Sequence, residues 1–187
     1  KFDEFLTRHS HVKHLIRVVS TDKGGEYQSR FNLMLGRHQI SHWETAANCP
    51  TARGSIERVW GTIMPMMGCN LRYADMTHNG LNLWGYALQW AVWCYNRVPH
   101  ARDSITPFQH LYKQKADVKH ARVWGCPCYS HIVVSKQVKT PDKAKALEGI
   151  FLGRHEVDGL SSDGDMTLTR TGEVISSAVT VFCEDWK

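Results

Sequence analysis

The spacing of apolar residues changes once along this chain of 187 residues, and that change constrains the fold more than any single motif. Between Ser55 and Tyr95 apolar residues recur every three or four positions, which predicts two helices. After about Val118 they occur in short runs that alternate with polar residues, which predicts strands separated by turns. This order predicts an α/β region followed by a small antiparallel β domain.

Shorter patterns divide the first part of the chain. They predict the end of a helix over 1–10, a short buried strand over 14–20, a helix over 27–39, a second strand over 40–45 and a loop over 46–55. A helix is then predicted from Ser55, with Glu57 in its first turn. Pro65 falls inside this helix, where proline costs about 3 kcal/mol, so a kink or break is expected. Pro107 begins a further short helix.

Two acidic residues stand at the ends of predicted elements. Asp22 follows the strand and precedes a glycine turn, and Glu57 follows a loop that contains proline. Each has an ordinary structural explanation, because Asp commonly begins turns and an acid in the first turn complements the helix dipole. The alternative is that these carboxylates are held at rigid element ends for chemistry.

Charge is unevenly distributed. The net charge is +5, and residues 113–145 hold eight Lys or Arg against two Asp. Such a local excess suits a polyanion, although a solvated surface explains charge alone equally well. No apolar run is long enough to span a membrane, so no membrane partner is expected. The six cysteines form no compact disulfide framework, which favours reduced thiols and an intracellular compartment.

Several motifs, in order along the chain, resemble one known family. The first two are "TDKGGEY" at 21–27 and "TAANCPTARGSIER" at 45–58. Downstream of these come Leu83-Trp84 with Ala87, Asn96-Arg97-Val98-Pro99, Thr106-Pro107-Phe108, Val123-Trp124-Gly125-Cys126 and Gly149-Ile150-Phe151-Leu152-Gly153. Together they resemble the retroviral-type integrase core, and more closely that of copia-type retrotransposons, together with the Pol region downstream of it.

The resemblance implies a ribonuclease H-like integrase core over 1–112 that lacks its first strands, a basic linker over 113–118 and a small β-rich domain over 119–187. Asp22 and Glu57 match the second and third carboxylates of the family's Asp-Asp-Glu triad. In the intact parent enzyme this triad would hold Mg²⁺ or Mn²⁺, for which carboxylate oxygens are suitable ligands. The implied reaction is metal-dependent phosphoryl transfer that processes and joins DNA ends.

The resemblance also implies DNA partners, namely the element's ends and its target, and a nuclear location with a cytoplasmic virus-like-particle stage. A homo-oligomer is an open alternative to a monomer. The residues expected to contact DNA are basic: Arg58, Lys113, Lys115, Lys119, Arg122, Lys136, Lys139, Lys143 and Lys145.

The chain departs from the family pattern in ways that bear on activity. The family's first catalytic Asp and its upstream zinc module have no counterpart here, because the only acids before Asp22 are Asp3 and Glu4. Whether the chain is an enzyme is therefore open. We expect a fragment of a Pol polyprotein, or a decayed copy, without integrase activity on its own. The alternative function is a non-catalytic nucleic-acid-binding module derived from such an element.

Two weaker signals have structural alternatives. His120, Cys126, Cys128 and His131 could bind zinc, but the Cys-x-Cys spacing is unusual and the two thiols could simply pack together. Five tryptophans, Trp43, Trp60, Trp84, Trp90 and Trp93, could stack on bases. Their mostly helical spacing favours burial.

Overall fold

The computed structural model describes residues 2–10, 13–44, 50–74, 82–100, 104–131, 145–156 and 162–184. The helices are α1 (Phe2–Arg8), α2 (Arg30–Arg37), α3 (Pro50–Tyr73), α4 (Trp84–Arg97) and α5 (Pro107–Tyr112). The strands are β1 (Val18–Thr21), β2 (Ser41–Glu44), β3 (Pro127–His131), β4 (Ala146–Glu156), β5 (Ser162–Thr169), β6 (Val174–Ser177) and β7 (Thr180–Phe182). The chain divides into two compact units, Lys1–Gly61 and Thr62–Lys187. The domain boundary predicted at 113–118 stays a prediction.

The first unit contains a parallel pair of strands. β1 and β2 lie side by side with Val18 opposite Ser41 and Thr21 opposite Glu44. A small buried cluster of Leu6, Leu35 and Ile40 packs beside them, and Val19 contacts it. The prediction that this strand is buried is wrong. Val18 is 53% exposed and Ser20 is also exposed, whereas Val19 and Thr21, on the opposite face, are only partly buried.

Helix α3 is longer than the sequence predicted. It begins at Pro50 instead of Ser55 and continues through Pro65 to Tyr73, so the expected break does not occur. Ile63 is buried, and Met67 and Leu71 pack against the core of the second unit. Packing on both sides of Pro65 therefore offsets the cost of the lost backbone hydrogen bond.

The second unit is built on a five-stranded antiparallel sheet in the order β6-β5-β4-β3-β7. The sheet curls, since Ser177 Oγ at the end of β6 donates to His131 O of β3 at 3.1 Å. Helix α4 covers it, and the shared core is formed mainly by Ala87, Trp90, Trp93, Trp124, Cys126, Cys128, Phe151 and Leu152. The predicted mixed α/β architecture with an antiparallel β region is confirmed.

Two ion pairs are partly buried in this unit. Glu156 Oε1 lies 2.6 Å from Arg97 Nη2 and accepts a second hydrogen bond from Trp93 Nε1 at 2.5 Å, which ties α4 to β4. Arg154 Nη1 lies 3.4 Å from Asp165 Oδ1, which ties β4 to β5. Burial raises the pKa of both carboxyls, and the neighbouring arginine offsets part of that shift in each case.

Two general expectations can be compared with the described residues. Within them, no helix is long and apolar enough to cross a membrane. The five cysteines that the structure describes, Cys69, Cys94, Cys126, Cys128 and Cys183, are all free thiols. Cys49 lies outside the described residues.

Candidate functional site

Asp22 lies immediately after β1, as predicted, and its side chain is exposed. The chain then passes through Gly24 into a short 3₁₀ turn, Gly25–Tyr27, closed by a hydrogen bond from Tyr27 N–H to Gly24 O at 3.1 Å. The carboxylate of Asp22 is therefore located at the carboxyl end of a parallel strand. This is the edge of the sheet at which α/β proteins commonly bind ligands. The catalytic role of Asp22 stays a prediction.

Glu57 is exposed on the third turn of α3, because the helix begins at Pro50. Its predicted place in the first turn is therefore wrong. The helix-dipole explanation for Glu57 is removed with it, since that effect falls off within one turn. The adjacent Arg58 is also exposed, and its Nε donates to Gly54 O at 2.9 Å.

The suitability of these carboxylates for a metal rests on donor chemistry. Asp22 and Glu57 offer hard oxygen ligands of the kind that Mg²⁺ and Mn²⁺ prefer. Among the described residues, no group of three or more His, Cys, Asp and Glu side chains is arranged to hold a metal ion. Two carboxylates would fill only part of an octahedral shell, so water or phosphate oxygens would have to supply the rest.

A hydrogen-bonded set of side chains leads to Asp22, and the sequence did not reveal it. Thr21 Oγ1 donates to Asp22 O at 2.9 Å and lies 2.7 Å from His42 Nε2. The other ring nitrogen, His42 Nδ1, lies 2.5 Å from Asn32 Oδ1 of α2. Only the strand register could have indicated the pairing, because these residues are far apart in sequence and share no motif.

The predicted DNA-contacting residues of the second unit divide into exposed and structurally engaged ones. Lys113, Lys115, Lys119 and Lys145 are exposed. Arg122 is only partly exposed. Its Nη1 donates to Ala121 O at 2.7 Å and to Lys119 O at 3.1 Å. Its guanidinium lies 5.0 Å from the Phe182 ring centroid. Arg122 is therefore better suited to holding this loop than to binding phosphate. Lys136, Lys139 and Lys143 lie outside the described residues.

The cysteines of the zinc hypothesis are packed into the core. Cys126 and Cys128 are fully buried, whereas His120 and His131 are exposed. Burial raises the pKa of Cys126 to about 12 and also raises the pKa of Cys128. Since zinc binds thiolates, these thiols fit the packing explanation better.

The prediction that most of these tryptophans are buried is wrong, because Trp90 and Trp93 are buried and the other three are exposed. Trp43, Trp60 and Trp84 are 71%, 47% and 53% exposed. Trp43 is on β2 and lies opposite Ser20 of β1. Ser20 is two positions before Asp22. The exposed indoles therefore leave base stacking open as a role.

Comparison with known proteins identifies the class to which these features point. The chain is 29% identical over 155 residues to the retrovirus-related Pol polyprotein from transposon TNT 1-94 of Nicotiana tabacum, which covers 82% of this chain and 11% of that protein. It is 30% identical over 131 residues to the retrovirus-related Pol polyprotein from transposon RE2 of Arabidopsis thaliana, covering 70% of this chain and 9% of that protein. No known family profile matches the chain.

The chain is thus homologous to retrovirus-related Pol polyproteins of plant transposons, which confirms the resemblance indicated by its motifs. It spans about a tenth of the length of these relatives. Among solved structures, a chain of the simian T-cell lymphotropic virus intasome in complex with PP2A regulatory subunit B56 gamma aligns with 96% of this chain. That alignment covers 63% of the intasome chain at 16% identity, with a TM-score of 0.45.

Proposed function

We propose that this chain is part of a retrotransposon integrase, with a ribonuclease H-like core to which it contributes two metal-binding carboxylates and a DNA-binding basic surface. The observation that carries the proposal is the homology to transposon Pol polyproteins, which extends over 82% of the chain. Cutting and joining of the element's DNA, in the nucleus and after a cytoplasmic particle stage, would be the task of the whole parent protein.

The environment of the two carboxylates supports this proposal. Several downstream motif residues have clear packing roles: Trp124 and Phe151 are buried, and Arg97 pairs with Glu156. Asp22 and Glu57 are exposed instead, so core packing does not account for their match to the family pattern. When bound there, a pair of Mg²⁺ ions would activate a water or 3′-hydroxyl and stabilise the leaving oxygen of phosphoryl transfer.

The metal part of the proposal can be tested by Mn²⁺ binding to the full chain. We expect weak binding that Asp22→Asn and Glu57→Gln each reduce, because two carboxylates are an incomplete ligand set. Asp117→Asn, which removes an exposed carboxylate in the second unit, is the matched control and should leave binding unchanged. Equal binding by all four proteins would contradict the assigned ligands.

A strand-transfer assay with a labelled DNA end and Mg²⁺ or Mn²⁺ tests catalysis directly. We expect no product from this chain alone, because its sequence has no counterpart of the family's first catalytic Asp. Product formation that Asp22→Asn abolishes would show that the chain is a sufficient enzyme and overturn that expectation.

The alternative function, a non-catalytic DNA-binding module, is favoured by the exposure of Lys113, Lys115 and Lys119. The logarithm of the DNA association constant should fall with the logarithm of the salt concentration, with a slope of about 0.9 per neutralised phosphate. Replacing Lys113, Lys115 and Lys119 together by Gln should reduce this slope. Lys13→Gln, in the first unit, is the control. DNA binding without metal binding would select this alternative, whereas salt-independent affinity would exclude both functions.

A further inference from the structure

The position of Asp22 is coupled to a histidine on the neighbouring strand. Thr21 and His42 lie on the same side of the parallel pair, because His42 is opposite Val19 and Thr21 is two positions further along β1. This diagonal arrangement brings His42 Nε2 to 2.7 Å from Thr21 Oγ1. The contact thus joins the last residue of β1, directly before Asp22, to the middle of β2.

The imidazole is held on two further sides by helix α2. Its Nδ1 lies 2.5 Å from the Asn32 carboxamide, and the Phe31 ring packs edge-on at a centroid distance of 5.5 Å. His42 is partly buried, as expected for a ring enclosed by a strand and a helix. A side chain restrained at both nitrogens can hold a partner in one place.

The hydroxyl chemistry of Thr21 gives this contact a direction. A hydroxyl has one hydrogen and two acceptor sites. Since Thr21 Oγ1 donates its hydrogen to Asp22 O, at 2.9 Å, it accepts from Nε2–H of His42. A neutral ring with its hydrogen on Nε2 accepts at Nδ1, so this direction requires the Asn32 carboxamide to be turned with its NH₂ group, instead of its oxygen, toward Nδ1. The imidazole therefore orients the hydroxyl, and the hydroxyl restrains the peptide plane between Asp22 and Lys23.

We propose that His42 is a positioning residue that acts through Thr21 to fix the backbone from which the Asp22 carboxylate projects. The proposal rests on the function proposed for Asp22. It adds a requirement for an Asn32–His42–Thr21 connection between α2, β2 and the strand end. An exposed carboxylate on a short two-stranded sheet needs such a restraint, because an isolated pair of strands is only marginally ordered.

The decisive experiment measures ¹⁵N relaxation at the amides of Asp22 and Lys23 in the full 187-residue chain. Thr21→Val keeps the shape of the side chain but removes the hydroxyl, and it should increase motion at both amides. Thr21→Ser restores the hydroxyl and should return them to wild-type order. Thr7→Val is the matched control, because Thr7 Oγ1 donates to Asp3 O within α1 and takes no part in the Asn32–His42–Thr21 connection.

A second pair of variants keeps the test decisive if Thr21→Val does not fold. His42→Leu should loosen the Asp22 amide, whereas His42→Gln, whose amide can still donate to Thr21, should preserve its order. Unchanged order at Asp22 in both Thr21→Val and His42→Leu would overturn the proposal. Equal loosening by Thr21→Ser and Thr21→Val would also overturn it, since it would mean that the hydroxyl is not responsible.

Mn²⁺-induced line broadening, measured on the same samples, separates this proposal from the proposed function. If Asp22 binds metal, Thr21→Val should weaken Mn²⁺ binding roughly 10-fold, as removal of a group that orients a ligand typically does. Absence of Mn²⁺ broadening at Asp22 in the wild type would contradict the metal role of Asp22. The relaxation data would still decide whether His42 and Thr21 order the strand end.

Discussion

At the scale of single residues, Asp165 carries the clearest electrostatic consequence. It is 8% exposed, and Oδ1 has no hydrogen-bond partner within the described part of the chain, although Arg154 Nη1 lies 3.4 Å away. Burial raises the pKa of this carboxyl above its ordinary value of 3.8. The pairing with Arg154 therefore does not fully offset the cost of removing the charge from water.

The first prediction concerns Asp165→Asn. A raised pKa in the folded state means that this group stabilises the fold below pH 3.8, and that the contribution is lost as pH rises through the folded-state pKa. The variant does not titrate, so its stability relative to wild type should increase across that window. Urea denaturation at successive pH values measures this difference.

Asp117→Asn provides a control of opposite sign. A backbone hydrogen bond from Lys119 lowers the pKa of Asp117, so its contribution is present above pH 3.8 and is lost as pH falls through the lower folded-state value. The same pH trend in both variants would mean that burial does not determine the behaviour of Asp165.

At the scale of secondary-structure elements, α3 contains an unfavourable residue that its packing tolerates. Pro65 interrupts the hydrogen bonding of a helix that otherwise runs from Pro50 to Tyr73. Pro65→Ala should therefore raise the free energy of unfolding by up to about 3 kcal/mol, as measured by urea denaturation. Pro107→Ala is the matched control, because a proline in the first turn of α5 breaks no helical bond. A stabilisation by Pro107→Ala as large as that by Pro65→Ala would contradict this explanation.

Strand β4 contains a glycine that close backbone packing requires. A Cβ added at Gly149 would lie 2.2 Å from Leu168 O on β5. Gly149→Ala should therefore force the β4–β5 pair apart and lower stability by about 1–3 kcal/mol. Gly61→Ala, in the interior of α3 with nothing within 4 Å, should instead be stabilising. A neutral Gly149→Ala in thermal unfolding would show that the strands can separate without cost.

At the scale of the whole molecule, thiol reactivity should report the core of the second unit, where all the described cysteines lie. Burial raises the pKa of Cys94 to about 11 and that of Cys126 to about 12, whereas Cys69 and Cys183 are exposed. Timed alkylation at neutral pH with peptide mass spectrometry should label Cys69 and Cys183 first, because the thiolate is the reactive form. Urea should remove the difference. Early labelling of Cys126 in the native protein would contradict its placement in the core.

Much of the architecture could be predicted from the sequence, because it depends on local apolar spacing. Helix α4 is apolar nearly all round, and the strands after Val118 alternate, so the type and order of these elements were predicted correctly. Spacing shows which side of an element is apolar, but not whether another element covers it. The exposure of Trp43, Trp60 and Val18 therefore could not be foreseen.

The candidate site was predictable only in part, for a related reason. Asp22 and Glu57 were singled out because short motifs surround them, and their role stays a prediction. The hydrogen bond between His42 and Thr21 was missed because it depends on the register of two strands. Strand register is a property of the folded chain and cannot be read from the local sequence around either residue.

The return of β7 to pair with β3 has a consequence for how the second unit is made. Cys128 pairs with Phe182, so the first strand of the sheet can meet this partner only after the intervening strands have been synthesised. A growing chain on the ribosome must therefore expose one edge of β3 until Phe182 has been synthesised. During that interval the strand is open to pairing with other nascent chains, so translation through β7 sets the period of greatest aggregation risk.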